Sequence, residues 1–309
     1  MRPAAYNLRE VLTDSPVAIS HRAVASLVYL RAEIPPSHPS APILGEERMG
    51  AGIAVSPDRV LTAHYLVLGA SRVDVVPLDG RTNPMARVTL DHQSGLALLT
   101  VERPDLRPAT LASDEVHPGL PVFMLTCTGE QQRRGASGHV ASVGPFEAFW
   151  EYMLDRAIMT TAVNPGLAGG PLLDLGARVI GVVSLGLAAV GRYSLAIPVE
   201  LFVHRRALLE SDDPMPAEER RAWIGFYPQG QNGGVAITGV VEGGPADNAG
   251  LHRGDLVLSV DGRTVTNLRE LYLALWRKGP GETLTLQILR DEALLVVEVL
   301  AGDRYEFYK

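Results

Sequence analysis

The apolar residues of this 309-residue chain fall mostly into runs of four to eight, broken by turn-forming residues, and no other feature constrains the fold as much. Runs of that length bounded by glycine or proline read as strands, because an isolated helix needs ten or more residues to bury a face. The 31 glycines and 22 prolines supply the breaks. Val73–Val76, Leu96–Val101, Val179–Ser184 and Tyr193–Ile197 are strands on this reading. Pro35-Pro36-Ser37-His38-Pro39-Ser40-Ala41-Pro42 is too rich in proline for a strand or helix interior and is expected to be a loop between the first two strands. A mainly β fold follows.

The pattern changes near residue 198. Pro198 is placed to open a helix over Val199–Glu210, since proline fits the first helical position. Ser211-Asp212-Asp213-Pro214-Met215-Pro216 reads as an exposed linker, and a second domain is expected from Trp223. There, Val235, Ile237 and Gly239 alternate with Ala236, Thr238 and Val240; Leu256, Leu258 and Val260 alternate with Val257 and Ser259 and run into an Asp261-Gly262 hairpin turn. Leu268, Leu271, Tyr272, Leu275 and Trp276 line one face of a helix predicted over Leu268–Lys278. Leu284–Ile288 and Ala293–Leu300 close a small α+β domain of about 80 residues, a size that folds alone. The tail Arg304–Lys309 is expected to dangle. The domains are read as 1–210, a linker over 211–222, and 223–303.

A net charge of −7 and a pI near 5.6 argue against a nucleic-acid partner, since phosphate binding needs a basic surface. The pairs Arg133-Arg134, Arg205-Arg206 and Arg220-Arg221 read as solvated surface. One cysteine, Cys127, excludes an internal disulfide; it lies in an apolar stretch and is expected to be a buried, inert thiol. The eight histidines form no His-x-x-x-His pair, so neither metal nor other cofactor is expected. No apolar run is long enough to span a bilayer. The residues after Met1 show no basic-then-apolar leader pattern, which points to the cytoplasm, or to a periplasmic or secreted protein trimmed of its leader.

Longer motifs then carry a resemblance. Gly244-Pro245-Ala246-Asp247-Asn248-Ala249-Gly250-Leu251-His252-Arg253-Gly254-Asp255, followed by Leu258-Ser259-Val260-Asp261-Gly262 and Gly279-Pro280-Gly281-Glu282, is similar to the PDZ domains of HtrA proteases. Gly50-Ala51-Gly52-Ile53-Ala54-Val55, Arg59-Val60-Leu61-Thr62-Ala63-His64-Tyr65, Ser94-Gly95-Leu96-Ala97-Leu98-Leu99 and Asn164-Pro165-Gly166-Leu167-Ala168-Gly169-Gly170-Pro171-Leu172 resemble the trypsin-like domain of the same family. The resemblance implies a double six-stranded β-barrel followed by a PDZ domain, and family members are usually trimers. It also implies that an extended peptide, often a C-terminus, adds as a strand to a sheet edge. Trp223, Ile224, Gly225 and Phe226 would hold its carboxylate, and Leu268, Leu271, Tyr272 and Leu275 would form the other wall.

By the same resemblance the base position holds Tyr65, the carboxylate position Gly95 and the nucleophile position Ala168, with His64 one residue before the base position. Tyrosine, with a pKa near 10, is a poor base at neutral pH, and an alanine methyl cannot attack a carbonyl. The amides of Gly166 and Ala168 would still form an oxyanion-hole-like nest. The expectation is therefore a pseudoenzyme, a non-catalytic scaffold, chaperone-like or regulatory protein that binds peptides or unfolded segments through its PDZ groove, with an active protease relative among its partners. The alternative is an active serine endopeptidase with a rearranged site, using His64 as base and Ser184 or Ser137 as nucleophile.

Overall fold

The computed structural model describes residues 6–7, 23–187, 191–231 and 233–309. Residues 1–5 and 8–22, on which the leader and trimer expectations turn, lie outside the described residues. Among those described, residues up to Gly144 together with Asp155–Ser211 form one compact unit, and Pro145–Leu154 together with Asp212–Lys309 form a second.

The first unit contains two barrels. β1 (Leu27–Glu33), β2 (Glu47–Ser56), β3 (Arg59–Ala63), β4 (Arg72–Val76), β5 (Asn83–Asp91) and β6 (Leu96–Val101) close in the order β1-β2-β3-β6-β5-β4. Their inward side chains, among them Val28, Leu30, Ala54, Val60, Val73 and Leu99, form one buried cluster. β7 (Pro121–Cys127), β8 (Arg133–Ala148), β9 (Tyr152–Thr160), β10 (Pro171–Asp174), β11 (Val179–Gly186) and β12 (Ser194–Pro198) run β8-β9-β12-β11-β10-β7, and pairing of β7 with β8 closes the ring. Met124, Val140, Ile158, Leu172, Ile180 and Ala196 fill it. Among the described residues each six-stranded ring is closed, and Tyr6–Asn7 adds to β8 outside the second ring. The proline-rich stretch does connect β1 to β2, but it ends in one helical turn, Ala41–Leu44, that accepts Pro42 in its first positions.

Helix α1 (Val199–Glu210) forms as its sequence predicts, with Phe202 and Leu209 buried. It brings Arg205 to Asp91: Nε lies 2.6 Å from Oδ2, and the carboxylate is fully buried. The solvated-surface reading of the arginine pairs is thereby corrected. Arg133 is also buried, donating to the carbonyls of Gly129, Glu130 and Val76, and Arg220 pairs with Asp303 at 2.5 Å. The charge pattern alone cannot register partners far along the chain.

In the second unit, β13 (Phe226–Gln231), β14 (Gly234–Val240), β15 (Leu256–Val260), β16 (Thr283–Arg290) and β17 (Ala293–Leu300) form a sheet in the order β13-β14-β15-β16-β17, leaving β13 at one edge. Helix α2 (Leu268–Leu275) covers the core built from Phe226, Val235, Val257, Leu271, Tyr272 and Leu286. Its N-cap is Asn267, whose side chain accepts from the Glu270 amide at 2.9 Å, while Glu270 accepts from the Thr266 amide at 2.8 Å. α2 stops at Leu275, three residues short of the predicted Lys278, where the chain approaches Gly279-Pro280.

Asp261 and Gly262 both have positive φ, 47° and 74°, as a two-residue type I′ hairpin requires. Gly262→Val should therefore destabilise the second unit by about 1–2 kcal/mol, the cost of a β-branched residue in the left-handed region. Urea unfolding is the measurement, and an unchanged midpoint would refute the turn assignment.

The tail does not dangle. Helix α3 (Arg304–Phe307) carries Phe307 and Tyr308 to Trp223, with ring centroids 4.6 and 5.6 Å away. Two adjacent aromatics packed on Trp223 bury apolar area that holds the short helix down.

Candidate functional site

The trypsin-like positions gather where β3 ends. Thr62 Oγ1 donates to the Ala51 carbonyl at 2.8 Å, and the chain then enters a 3₁₀ turn over His64–Leu66. The two candidate bases part company in this turn. His64 turns toward Gly95, whose carbonyl accepts from the His64 amide at 2.9 Å and lies 3.2 Å from ring Nδ1. A carbonyl oxygen can only accept, so this contact places the ring proton on Nδ1 and the basic lone pair on Nε2. The His64 ring is buried and stands edge-on to His92 at 5.5 Å.

Tyr65 points the other way and donates through its hydroxyl to the Ser184 carbonyl on β11 at 2.8 Å. Burial drives its phenol well above the usual tyrosine range, so it stays protonated at all ordinary pH values.

The loop carrying Ala168 is stitched to the same place. The Ala168 carbonyl accepts from the Ala51 amide and the Gly169 amide donates to the Val183 carbonyl, both at 2.7 Å. Its glycines are packing requirements: a Cβ on Gly169 would stand 2.0 Å from the Ala51 carbonyl oxygen, and one on Gly170 would stand 2.2 Å from that of Leu125. The nest expected of Gly166 and Ala168 is partly spoken for, because the Gly166 amide donates to Asn164 Oδ1 at 3.1 Å.

Gly95 has φ +74°, a left-handed conformation that glycine adopts without strain. Asp91, four residues upstream, accepts from Ser94 Oγ at 2.6 Å and pairs with Arg205, and its own carbonyl accepts from the Gly95 amide. It therefore does not stand in for the missing carboxylate.

His64, Tyr65, Gly95, Ala168 and Ser184 are thus joined through backbone and side-chain bonds, whereas Ser137 lies exposed on β8 opposite Phe123. Residue-type reasoning missed Arg48. Its buried guanidinium donates to the carbonyls of Tyr65 at 2.8 Å, Leu68 at 3.0 Å and Gly45 at 3.1 Å, and to Ser40 Oγ at 2.6 Å. Burial lowers its pKa to about 10, and it pins the turn that carries both candidate bases.

In the second unit, the predicted peptide-binding positions divide. Ile224, Gly225 and Phe226 form a turn in which Gly225 has φ +74°, so that three successive amides converge. They converge on a carboxylate of this chain. Glu151 accepts from the Ile224 amide at 3.1 Å, the Gly225 amide at 2.6 Å and the Phe226 amide at 3.1 Å. Trp223 faces the tail, not a groove. Leu271, Tyr272 and Leu275 are fully buried and Leu268 is half-buried.

The Tyr272 hydroxyl accepts from the Glu151 amide at 3.2 Å and donates to the Ala148 carbonyl. Burial pushes the Glu151 carboxyl up to about 7, against the three amides and Arg304, which favour the charged form.

A pH prediction follows. Besides Arg304, Tyr272, Tyr227 and Tyr308 stand near Glu151, and their pKa values lie above the ordinary tyrosine value, so none of these three titrates with it in mild acid. A raised carboxyl pKa means that the folded chain holds a proton the unfolded chain has released. Stability of the second unit should therefore fall as pH rises from about 4.5 to 7, by up to about 3 kcal/mol. Glu151→Gln should flatten the profile; urea midpoints taken across that range would show it, and an unchanged profile would refute the assignment.

The trypsin-like peptidase domain family matches residues 50–182, and the PDZ domain family matches residues 222–300. A probable periplasmic serine endoprotease DegP-like protein of Halomonas elongata is 29% identical over 290 residues, 87% of this chain and 60% of its own. One of the same description from Chlamydia trachomatis is 27% identical over 267 residues, 81% of this chain and 53% of its own. The chain thus spans 60% or less of the length of these relatives.

Among solved structures, HtrA-type protease AlgW with decapeptide superposes with a TM-score of 0.57 at 22% identity, covering 93% of this chain and 98% of that one. The serine endoprotease from Yersinia pestis gives 0.57 at 21% identity, covering 92% and 96%. Two closed barrels meeting where Tyr65 reaches Ser184, followed by a PDZ fold, define a trypsin-like peptidase domain joined to a PDZ domain. The chain carries these two domains and is similar to HtrA-type proteases.

Two expectations are corrected by these likenesses. That the chain is not an enzyme is overturned by relatives named serine endoproteases over most of its length. The inference from three replaced side chains took each position alone. It left out what the fold sets beside them, the Gly95 carbonyl against His64 and β11 against Tyr65. The cytoplasmic expectation gives way as well, since the relatives are named periplasmic, which points to a periplasmic or secreted location. No helix among the described residues is long and apolar enough to cross a membrane.

Proposed function

We propose that this chain acts on polypeptides as an HtrA-type endopeptidase, taking an extended segment along the β13 edge of its PDZ domain and hydrolysing peptide bonds at the cleft between its barrels. The observation that carries the reading is the orientation of His64: a backbone carbonyl holds Nδ1–H, as an orienting carboxylate would, and leaves Nε2 as the base. Ala168 has no atom that can attack, so the nucleophile lies elsewhere. Ser184 is the candidate, because its backbone is bonded to Tyr65 in the same 3₁₀ turn as His64. The base takes the serine proton, the hydroxyl oxygen adds to the carbonyl carbon, and the same histidine returns the proton to the leaving amine.

Peptide capture rests on the open β13 edge and on the convergent amides of Ile224, Gly225 and Phe226. Casein cleavage and fluorophosphonate labelling by the intact chain test the reading together. Labelling that maps to Ser184, with hydrolysis reduced at least ~10²-fold in His64→Ala, is the expected result. No label and no cleavage would overturn the hydrolytic half. Binding of extended peptides that survives deletion of residues 223–309 would overturn the PDZ half.

A further inference from the structure

The turn between β8 and β9 lies, by its contacts, in the second unit, and it delivers Glu151 to a place where three successive amides converge. Glu151 reaches it by adopting φ +54°, a conformation rare for a residue with a side chain. Such strain persists only when the surroundings hold it in place, and here every flank of the turn is anchored. Tyr272 on α2 bridges the Glu151 amide and the Ala148 carbonyl, and Arg304 donates to the Glu151 carbonyl at 3.2 Å. Arg269 on α2 lies 3.8 Å from Glu147, and Met153 joins the buried core with Phe226 and Leu271. Phe149 lies 6.5 Å from Tyr227 on the edge strand. The turn therefore touches both β13 and α2, the two walls between which a peptide would lie.

We infer that residues 147–153 are a built-in ligand of the PDZ domain, with the Glu151 side-chain carboxylate standing where the carboxylate of an incoming polypeptide C-terminus would bind. The inference rests on the reading that this groove takes peptides. It adds that an external C-terminus binds only by displacing Glu151, because three amides already donating to one carboxylate cannot serve a second. Competition from a tethered group lowers apparent affinity by the fraction of molecules in which the groove is open. The PDZ domain is then held closed by its own chain until a stronger C-terminus arrives. A ligand lacking a terminal carboxylate gains nothing by competing for the amides.

The test compares the full chain with Glu151→Gly, which keeps the positive φ without strain, and with Glu151→Gln, which keeps the side-chain length but loses the charge. The probe is a pool of fluorescent heptapeptides randomised at the last four positions, with either a free or an amidated C-terminus. Binding of the free-acid pool should rise at least ~10-fold in Glu151→Gly and less in Glu151→Gln, with no gain for the amidated pool. Hydrogen exchange at Ile224, Gly225 and Phe226 should accelerate in Glu151→Gly and slow again when the free-acid pool is added. Equal binding of the free-acid pool to all three chains would overturn the built-in ligand while leaving peptide capture intact. Equal gains for the acid and amide pools would overturn carboxylate mimicry. Binding to none of the chains would refute the peptide-binding reading itself, and this inference with it.

Discussion

Gly169→Val is expected to lower the stability of the first unit by about 4 kcal/mol, summing the cost of a left-handed β-branched residue and of overpacking a closed site. Gly169 sits at φ +93°, and its missing Cβ leaves room for the Ala51 carbonyl, 2.0 Å from where that atom would stand, and for Thr62 Oγ1 at 2.5 Å. Neither neighbour can retreat cheaply. The Ala51 amide is bonded to the Ala168 carbonyl, the Thr62 hydroxyl to the Ala51 carbonyl, and the Gly169 amide to Val183. Moving any one breaks a bond between β2, β3, β11 and the Ala168 loop. The urea midpoint of the first unit should drop accordingly, and Gly169→Ala should fall between the two. A valine variant with an unshifted midpoint would mean that the loop lies elsewhere.

Arg205→Met should cost about 3–5 kcal/mol, because it strands a buried carboxylate. Asp91 is fully buried, and with Arg205 gone its side-chain donors, the Ser94 hydroxyl at 2.6 Å and the Gln93 amide at 3.1 Å, are neutral. Neutral hydrogen bonds do not compensate for an ionised group removed from water. Combining Arg205→Met with Asp91→Asn removes the charge while leaving an acceptor for Ser94, so much of the loss should return. Equal stability of the single and double variants would show that the ion pair is not what couples α1 to the end of β5.

The short apolar runs and their turns were enough to read a mainly β chain with a small α+β domain after it, because strand length and positive-φ turns such as Asp261-Gly262 are local properties. The double barrel and the PDZ fold followed from the resemblance of the longer motifs. Tyr65, Gly95 and Ala168 were singled out from flanking motifs, and the fold bonds their segments to His64, Ser184 and Ala51. What the chain does at those positions was not legible. The roles of His64, Arg48 and Asp91 depend on which carbonyls and cations lie opposite, and Gly95, Tyr65 and Arg205 are 17 to 114 residues away from them in the chain. Glu151 was passed over for the same reason. An isolated glutamate next to Trp150 and Tyr152 looks like an ordinary turn residue until Ile224–Phe226 are folded against it. The tail was misread because Phe307 and Tyr308 have no apolar periodicity of their own; Trp223 gives them a surface.

The lone thiol offers a clock. Cys127 is fully buried at the end of β7, its Sγ donates to the Val28 carbonyl of β1 at 3.4 Å, and burial pushes its pKa up to about 12. In the closed molecule it is neither reachable nor ionised, so an alkylating reagent can meet it only when the two barrels part at that seam. The rate of alkylation in dilute reagent then counts those openings directly, one chemical mark per event, on a chain that carries no second thiol to confuse the tally.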